Sequence, residues 1–266
     1  MLTGLSQLNI ELSSRCDRQT LCGFCGHQDR KVNPNLGLGD MDFGLLSSIY
    51  NQIESPTVIG FHRDGDPLVY PQLSNALRLF EDFPTSIVTH GEALNRRADE
   101  IIDNCTTVTV SVIPKDPDRD IQLASIRGFL EKKGDRRPQV QLKFVGVIDP
   151  ASTARYEGLG VPIIGRRLHH KAGNWSYQRE DPPVPEIRVC MEILGHPCVD
   201  WRGRVFACQR LAPNDEGLIG DLNTQTLDEI WNGPVRAEML RHHLAGRRDL
   251  AGGLCPQCKY WGYPAG

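Results

Sequence analysis

Cys16, Cys22 and Cys25 stand in a C-x5-C-x2-C array directly after the alternating run Leu8-Asn9-Ile10-Glu11-Leu12. Thiolates bind metals, but a structural zinc site takes four ligands, and a closed iron–sulfur cube also takes four cysteines. Three cysteines hold a four-iron cube by three corners and leave one iron open to another ligand. An open iron is where chemistry happens. The competing reading of this loop is a zinc knuckle completed by His27 or by a distant thiol.

A second set lies at the other end of the chain. Cys190-x17-Cys208-x46-Cys255-x2-Cys258 supplies four thiolates, enough for a closed site with no exchangeable corner. On ligand count alone, zinc and an iron–sulfur cube are about even there. Cys198 is close enough to Cys190 to compete as the first ligand. Otherwise Cys105 and Cys198 read as small buried hydrophobes.

These residues need elements to hold them. Short β-like runs at Leu8–Leu12, Thr57–Arg63, Thr85–His90, Thr107–Ile113, Gln139–Val147 and Val161–Arg166 alternate with helical patterns, as βα units of a parallel sheet do. Asp40 can cap a helix carrying Leu45, Leu46, Ile49 and Ile53, and Leu73, Ala76, Leu77 and Phe80 form a helical stripe. Further helices are expected over Leu94–Asn104, Asp118–Lys133 and Ala151–Glu157. Six units are too few to close an eight-stranded barrel. The expected fold is therefore α/β: a partial (β/α)6 TIM-like barrel over residues 1–179, with its site at the C-terminal strand ends. The proline-rich stretch Glu180–Glu186 separates it from residues 187–266, a small C-terminal β-hairpin/helix module that holds the second cysteine set. In that module Trp201-Arg202-Gly203 is an expected hairpin turn, and Thr226-x-x-Glu229 a capping box.

With Phe24 just before its third cysteine, the first array resembles the radical SAM superfamily, whose commoner spacing is C-x3-C-x2-C. Asp64-Gly65-Asp66-Pro67, after the second strand, is similar to that family's G-G-E-P turn, and Thr89-His90-Gly91, after the third, to its T-N-G. Ser111 in the fourth strand sits where members place a polar residue facing the ribose. The resemblance implies a [4Fe-4S] cluster on Cys16, Cys22 and Cys25. S-adenosylmethionine would chelate its open iron, with Asp64, Gly65, Asp66 and Pro67 receiving the amino group and Phe24 packing near the adenine. The runs Gly203–Cys208, Ile219–Leu222 and Leu227–Trp231, followed by Cys255-x2-Cys258, resemble the SPASM/twitch extension. This implies an auxiliary [4Fe-4S] cluster on Cys190, Cys208, Cys255 and Cys258. The layout is most similar to the short twitch enzymes of the 2-deoxy-scyllo-inosamine dehydrogenase type.

The resemblance implies reductive cleavage of S-adenosylmethionine to a 5′-deoxyadenosyl radical that removes a substrate hydrogen. An oxidation or rearrangement of a small polar metabolite or nucleoside follows, with electrons from a donor such as flavodoxin or ferredoxin. By position near strand ends, His62, His90, Lys143 and Arg166 are the candidate catalytic groups, with Arg63 and Arg167 beside them. One alternative is a bacteriophage-type enzyme that rearranges an amino-acid-modified thymidine in DNA; the stretch from Glu11 to Gln28 resembles such proteins. A flipped base would be needed there. The others are a peptide maturase, for whose leader-binding domain the chain has no room, and a non-enzymatic zinc module. The formal net charge of −3 argues against a surface wholly devoted to nucleic acid. Two basic clusters, Arg166–Lys171 and Arg241–Arg248, read as solvated faces or, less readily, as phosphate contacts. No apolar run reaches the ~20 residues of a membrane span, and no signal segment opens the chain, so a cytoplasmic protein is expected.

Overall fold

The computed structural model describes residues 2, 4–18, 37–54, 57–113, 116, 118–145, 150–166, 189–209, 217–253 and 255–258. Six strands run parallel in chain order: β1 (Gln7–Ile10), β2 (Val58–Phe61), β3 (Thr85–Thr89), β4 (Thr107–Val112), β5 (Gln139–Val145) and β6 (Ile163–Arg166). Each of the expected runs yields a strand, with ends within two residues of those expected. Between them lie α1 (Phe43–Tyr50), α2 (Leu73–Leu79), α3 (Ala98–Ile101), α4 (Arg119–Lys133) and α5 (Pro150–Glu157). The helix expected over Leu94–Asn104 shrinks to the single turn α3.

The cap of α1 also differs from expectation. Asp42, not Asp40, accepts from the Leu45 amide at 3.1 Å. The Asp40 carboxylate is taken by Ser13 Oγ at 2.7 Å and by Arg15 at 3.0 Å. That choice matters, because it pins the start of the Cys16 loop to the segment where the chain returns from it.

One face of the sheet is apolar. Leu8, Ile10, Ile59, Phe61, Ile87, Val108, Val110, Leu142 and Phe144 are fully buried and share one core with Leu46, Ile49, Leu77, Phe80 and Phe129 of the helical layer. Phe61 meets Phe80 edge-to-face at 5.7 Å, and Phe144 meets Tyr156 at 5.3 Å. Such pairs add about 0.5–1.5 kcal/mol to the area they bury.

The C-terminal module is built onto this sheet. Leading into it is α6 (Met191–Gly195). Strand β7 (Cys198–Val199) pairs in parallel with the free edge of β1, setting Cys198 beside Asn9. It turns at Trp201-Arg202-Gly203 into antiparallel β8 (Arg204–Phe206), which pairs with β9 (Leu218–Asp221). The result is a nine-stranded sheet in the order β6-β5-β4-β3-β2-β1-β7-β8-β9, open rather than closed. Helix α7 (Leu227–Trp231) carries the expected capping box, with both reciprocal bonds between Thr226 and Glu229. After it, α8 (Pro234–Leu244) stacks Arg236 over the Trp231 ring at 3.3 Å. No described helix is long and apolar enough to cross a membrane.

The basic cluster at Arg241–Arg248 is divided between surface ion pairs and buried side chains. Arg241 and His242 pair with Glu238, and Arg247 with Asp249. His243 and Arg248 are buried. Of the other cluster, Arg166 ends β6, while Arg167, His169, His170 and Lys171 lie outside the described residues.

Candidate functional site

Parallel register fixes which side chains share the face away from the helices. Asn9, Gly60, Ser86 and Thr107 form one row across β1–β4. Toward the C-terminal strand ends Thr109 sits beside Gln141, and Ser111 beside Lys143. Gln141 Nε2 donates to Thr109 Oγ1 at 2.8 Å. Glu11, just past β1, is 1% exposed on the same parity. This inner face is polar from row to row, and Lys143 is held in it at 9% exposure.

At the C-terminal end of β1 the chain enters the cysteine loop. Ser14 Oγ accepts from the Gly39 amide at 2.9 Å, and the Ser14 amide donates to the Gly39 carbonyl at the same distance. With the Ser13–Asp40 bridge, this closes the neck of the loop. Cys16 is half-buried just beyond the neck. Phe24, Cys22, Cys25 and His27 lie outside the described residues.

Two further strand-end turns converge on that neck. Gly65 packs so closely that a Cβ on it would stand 2.0 Å from the Ser13 carbonyl oxygen and 2.7 Å from that of Arg15. Only glycine allows this approach. The Asp66 amide donates to the Arg15 carbonyl at 2.8 Å. Its carboxylate accepts from Leu68 N (2.8 Å), Thr89 Oγ1 (2.7 Å) and His90 N (3.0 Å), so it also caps the short 3-10 turn Pro67–Val69. In the third turn Gly91 takes φ +87°, and a Cβ there would strike Val110 at 2.6 Å.

His90 sits at the centre of this convergence. Its Nε2 lies 2.6 Å from Asp17 Oδ1 and 3.4 Å from Asp66 Oδ2. Ligand atoms of Cys16, Asp17 and His90 all fall within 4.8 Å of one another. Burial works against charge on the ring, but the Asp66 and Asp17 carboxylates and the Cys16 sulfur outweigh it and hold His90 up at about 10. The hydrogen bond from His90 in turn pulls Asp17 below its ordinary range.

The structure thus brings together Cys16, Asp66 and His90, and places Ser111 and Lys143 side by side one strand further on. His62 stands half-buried at the end of β2, and Arg166 ends β6. Asp17 was not anticipated, although it directly follows Cys16. Nor were Glu11 and Asp200 (below); the one signal for Glu11 was a charge in an apolar run.

In the C-terminal module Cys190 precedes α6, Cys208 follows β8 and is buried, and Cys255 and Cys258 bracket a 3-10 turn. Arg248 is buried against this turn: Nη1 donates to the Cys255 carbonyl at 2.9 Å and to that of Cys258. A guanidinium fixed on the main chain between two thiols suits a site that gathers negative charge when the thiolates bind metal. Cys198 behaves differently. It is fully buried in the sheet, and burial pushes its thiol up to about 12 despite the opposing pull of Arg63. Cys105 is likewise buried, its thiol raised by burial and donating to the Thr107 carbonyl at 3.2 Å. Both are neutral packing groups.

Residues 190–259 match the SPASM family, described as an iron–sulfur cluster-binding domain. No curated protein matches the sequence. Among solved structures, BtrN in complex with AdoMet and 2-DOIA superposes with a TM-score of 0.64 at 17% identity, covering 96% of this chain and 93% of that one. SuiB of Streptococcus suis bound to the precursor peptide SuiA gives a TM-score of 0.64 at 12% identity, over 88% of this chain and 66% of that one. SuiB bound to S-adenosylmethionine gives 0.61 at 12% identity, over 91% and 68%. At these identities the likeness is one of fold. Residues 190–259 thus resemble an iron–sulfur cluster-binding domain of the SPASM family, and the chain as a whole shares the fold of BtrN and SuiB.

Proposed function

We propose that this protein binds S-adenosylmethionine at a [4Fe-4S] cluster held by Cys16, Cys22 and Cys25, and acts on a small polar metabolite or nucleoside. The observation that carries the proposal is the seating of Gly65 on the Ser13–Arg15 backbone, with Asp66 bonded to Thr89 and His90. Three segments distant in sequence meet beside Cys16, which fits a ligand bridging cluster and strand ends. When bound, the reduced cluster and S-adenosylmethionine together supply a 5′-deoxyadenosyl radical able to remove a substrate hydrogen.

The chain's own residues do the rest. Asp64 and Asp66 would accept from the ammonium of the methionine moiety; a carboxylate has about four acceptor sites, and Asp66 accepts three hydrogen bonds from described residues. Pro67 opens the 3-10 turn beneath them. Ser111 offers its hydroxyl to the ribose, and Phe24 a ring to the adenine. His90 spends its ring on Asp17 and its amide on Asp66, which suits a residue that shapes the turn. His62, Lys143 and Arg166 remain the candidate groups for acting on substrate. A polar inner face supports a substrate rich in hydroxyl, amino or amide groups, since each buried polar group without a partner would be costly. The likeness to a fold that holds AdoMet and 2-DOIA supports the same class.

Cys190, Cys208, Cys255 and Cys258 supply four thiolates for a closed auxiliary [4Fe-4S] cluster, and the Arg248 contacts fit its charge. When bound, that cluster would supply an electron acceptor for substrate oxidation, whereas a rearrangement would not call on it; a flavodoxin- or ferredoxin-type donor would supply the electrons. The barrel is taken to end at residue 179 and the module to begin at 187. A second reading, a peptide substrate, draws on the likeness to SuiB with its precursor peptide.

Anaerobically reconstituted protein is expected to be brown, to carry iron for two cubes and to release 5′-deoxyadenosine with dithionite. Colourless protein with stoichiometric zinc would overturn the proposal. Deuterium transfer into 5′-deoxyadenosine from labelled aminocyclitols or nucleosides, but not from labelled peptides, decides between the two substrate readings.

A further inference from the structure

Arg63 immediately precedes the Asp64–Pro67 turn, and its side chain is 1% exposed. A guanidinium remains charged even when buried, so its surroundings must compensate it. Nη1 lies 3.9 Å from the Glu11 carboxylate and 3.7 Å from that of Asp200, and Nε lies 3.8 Å from Asp64. The guanidinium carbon also rests 4.2 Å from the centre of the Phe206 ring. Glu11 and Asp64 belong to the barrel; Asp200 and Phe206 belong to the hairpin of the C-terminal module, two residues before Cys208 in the case of Phe206.

Glu11 spans this junction, and Asp200 braces its module side. Glu11 accepts from the Asp64 amide at 3.2 Å and from the Trp201 amide at 3.5 Å. Asp200 accepts from the amides of Arg202 (3.0 Å) and Arg204 (2.9 Å) and from Arg204 Nε (2.8 Å). Arg63 therefore faces three carboxylates, Glu11 and Asp64 from the barrel and Asp200, which also pairs with Arg204, from the C-terminal module. Without it, Glu11, Asp64 and Asp200 would lose the buried cation they share across the junction, and removing one member of a buried ionic group is costly.

We propose that Arg63 is a positioning residue: it ties the turn that receives S-adenosylmethionine to the β7–β8 hairpin, so that the turn takes its binding shape only with the C-terminal module docked. The inference rests on the reading of Asp64–Pro67 given above. The test uses reconstituted holoenzyme and two measurements. Amide hydrogen exchange follows Gly65–Leu68 and Arg202–Arg204, and the S-adenosylmethionine-induced change in the electron paramagnetic resonance signal gives its dissociation constant. Arg63→Gln is expected to speed exchange in both segments and to raise the dissociation constant about tenfold, with the auxiliary cluster signal retained. Arg63→Lys, which restores the charge without the planar fork, is expected to recover part of both effects.

Unchanged exchange at Arg202–Arg204, an unchanged dissociation constant, or no recovery in Arg63→Lys would each overturn the proposal. Should Arg63→Gln fail to fold, Asp200→Asn, which weakens the tie from the module side alone, must loosen Gly65–Leu68 and weaken binding; a turn indifferent to it overturns the proposal equally. If wild-type holoenzyme bound no S-adenosylmethionine, the proposed function would fail instead. The paired exchange effect would then still report whether Arg63 joins the two segments.

Discussion

The two faces of one sheet divide the labour of this molecule. Outward, Leu8, Ile10, Phe61, Ile87, Val108, Val110 and Phe144 are buried against the helices. Inward, beside Val58 and Val88, the residues between them include Asn9, Glu11, Ser86, Thr109, Ser111, Gln141 and Lys143. An all-apolar interior would be the cheaper way to stabilise a barrel, since polar groups gain only about 0.5–1.5 kcal/mol net per hydrogen bond and lose more when unpaired. The outer face therefore answers to folding and the inner face to what the barrel encloses. The distinction can be broken by mutation, because neighbours in one strand should fail in different assays.

The largest effect is expected where the inner face ends. Cys16→Ala removes a proposed cluster ligand from a half-buried loop position, not from the core. Iron content should fall by one cube and 5′-deoxyadenosine formation should drop to background, while the melting temperature of the cluster-free protein stays within a few degrees. A large loss of apo stability would mean that the loop is part of the folding core, and the division between faces would be wrong there. On the outer face the converse is expected. Phe61→Ala empties a site shared with Phe80 and should cost about 3–5 kcal/mol in urea unfolding. Its surviving folded fraction should keep wild-type affinity for S-adenosylmethionine.

Gly65→Ala tests the boundary between the two. The added methyl would meet the Ser13 and Arg15 carbonyl oxygens, main-chain atoms that cannot swing aside. The turn must lift from the neck of the cysteine loop. We expect a stability loss of about 1–3 kcal/mol, in the range of overpacking, together with a rise of at least tenfold in the S-adenosylmethionine dissociation constant. Equal binding by the two proteins would dissociate this turn from the ligand altogether.

The outer face was readable from sequence, because burial on one side imposes period-two alternation and each parallel strand declares itself. The α2 stripe and the Thr226–Glu229 box were readable for the same reason: they are local. What escaped was decided by tertiary competition. Asp40 is as good a cap in isolation as Asp42, and Ser13 and Arg15 together take it away. The continuity of the module with the barrel could not be read either, since β7 offers only two paired residues. Among the site residues, motif spacing pointed to Cys16, Asp66 and His90, but not to their mutual bonding. Asp17, Glu11 and Asp200 carried no motif, and became visible only when folding gathered them.

The smallest effect is the most discriminating, because it compares adjacent residues of β4. Val110 points outward and is fully buried; Ser111 points inward, is partly exposed, and stands beside Lys143. Val110→Ala should cost about 2 kcal/mol of stability, measured by urea unfolding, and leave the KM for S-adenosylmethionine within twofold. Ser111→Ala should change stability by no more than about 0.5 kcal/mol. Loss of one hydroxyl contact worth about 0.5–1.5 kcal/mol should raise that KM roughly 2- to 10-fold. A change of kcat alone in Ser111→Ala would move this hydroxyl from S-adenosylmethionine to the substrate. Matching losses in both variants would mean that β4 has one environment rather than two, and the polar inner face would lose its standing as the reacting side of the sheet.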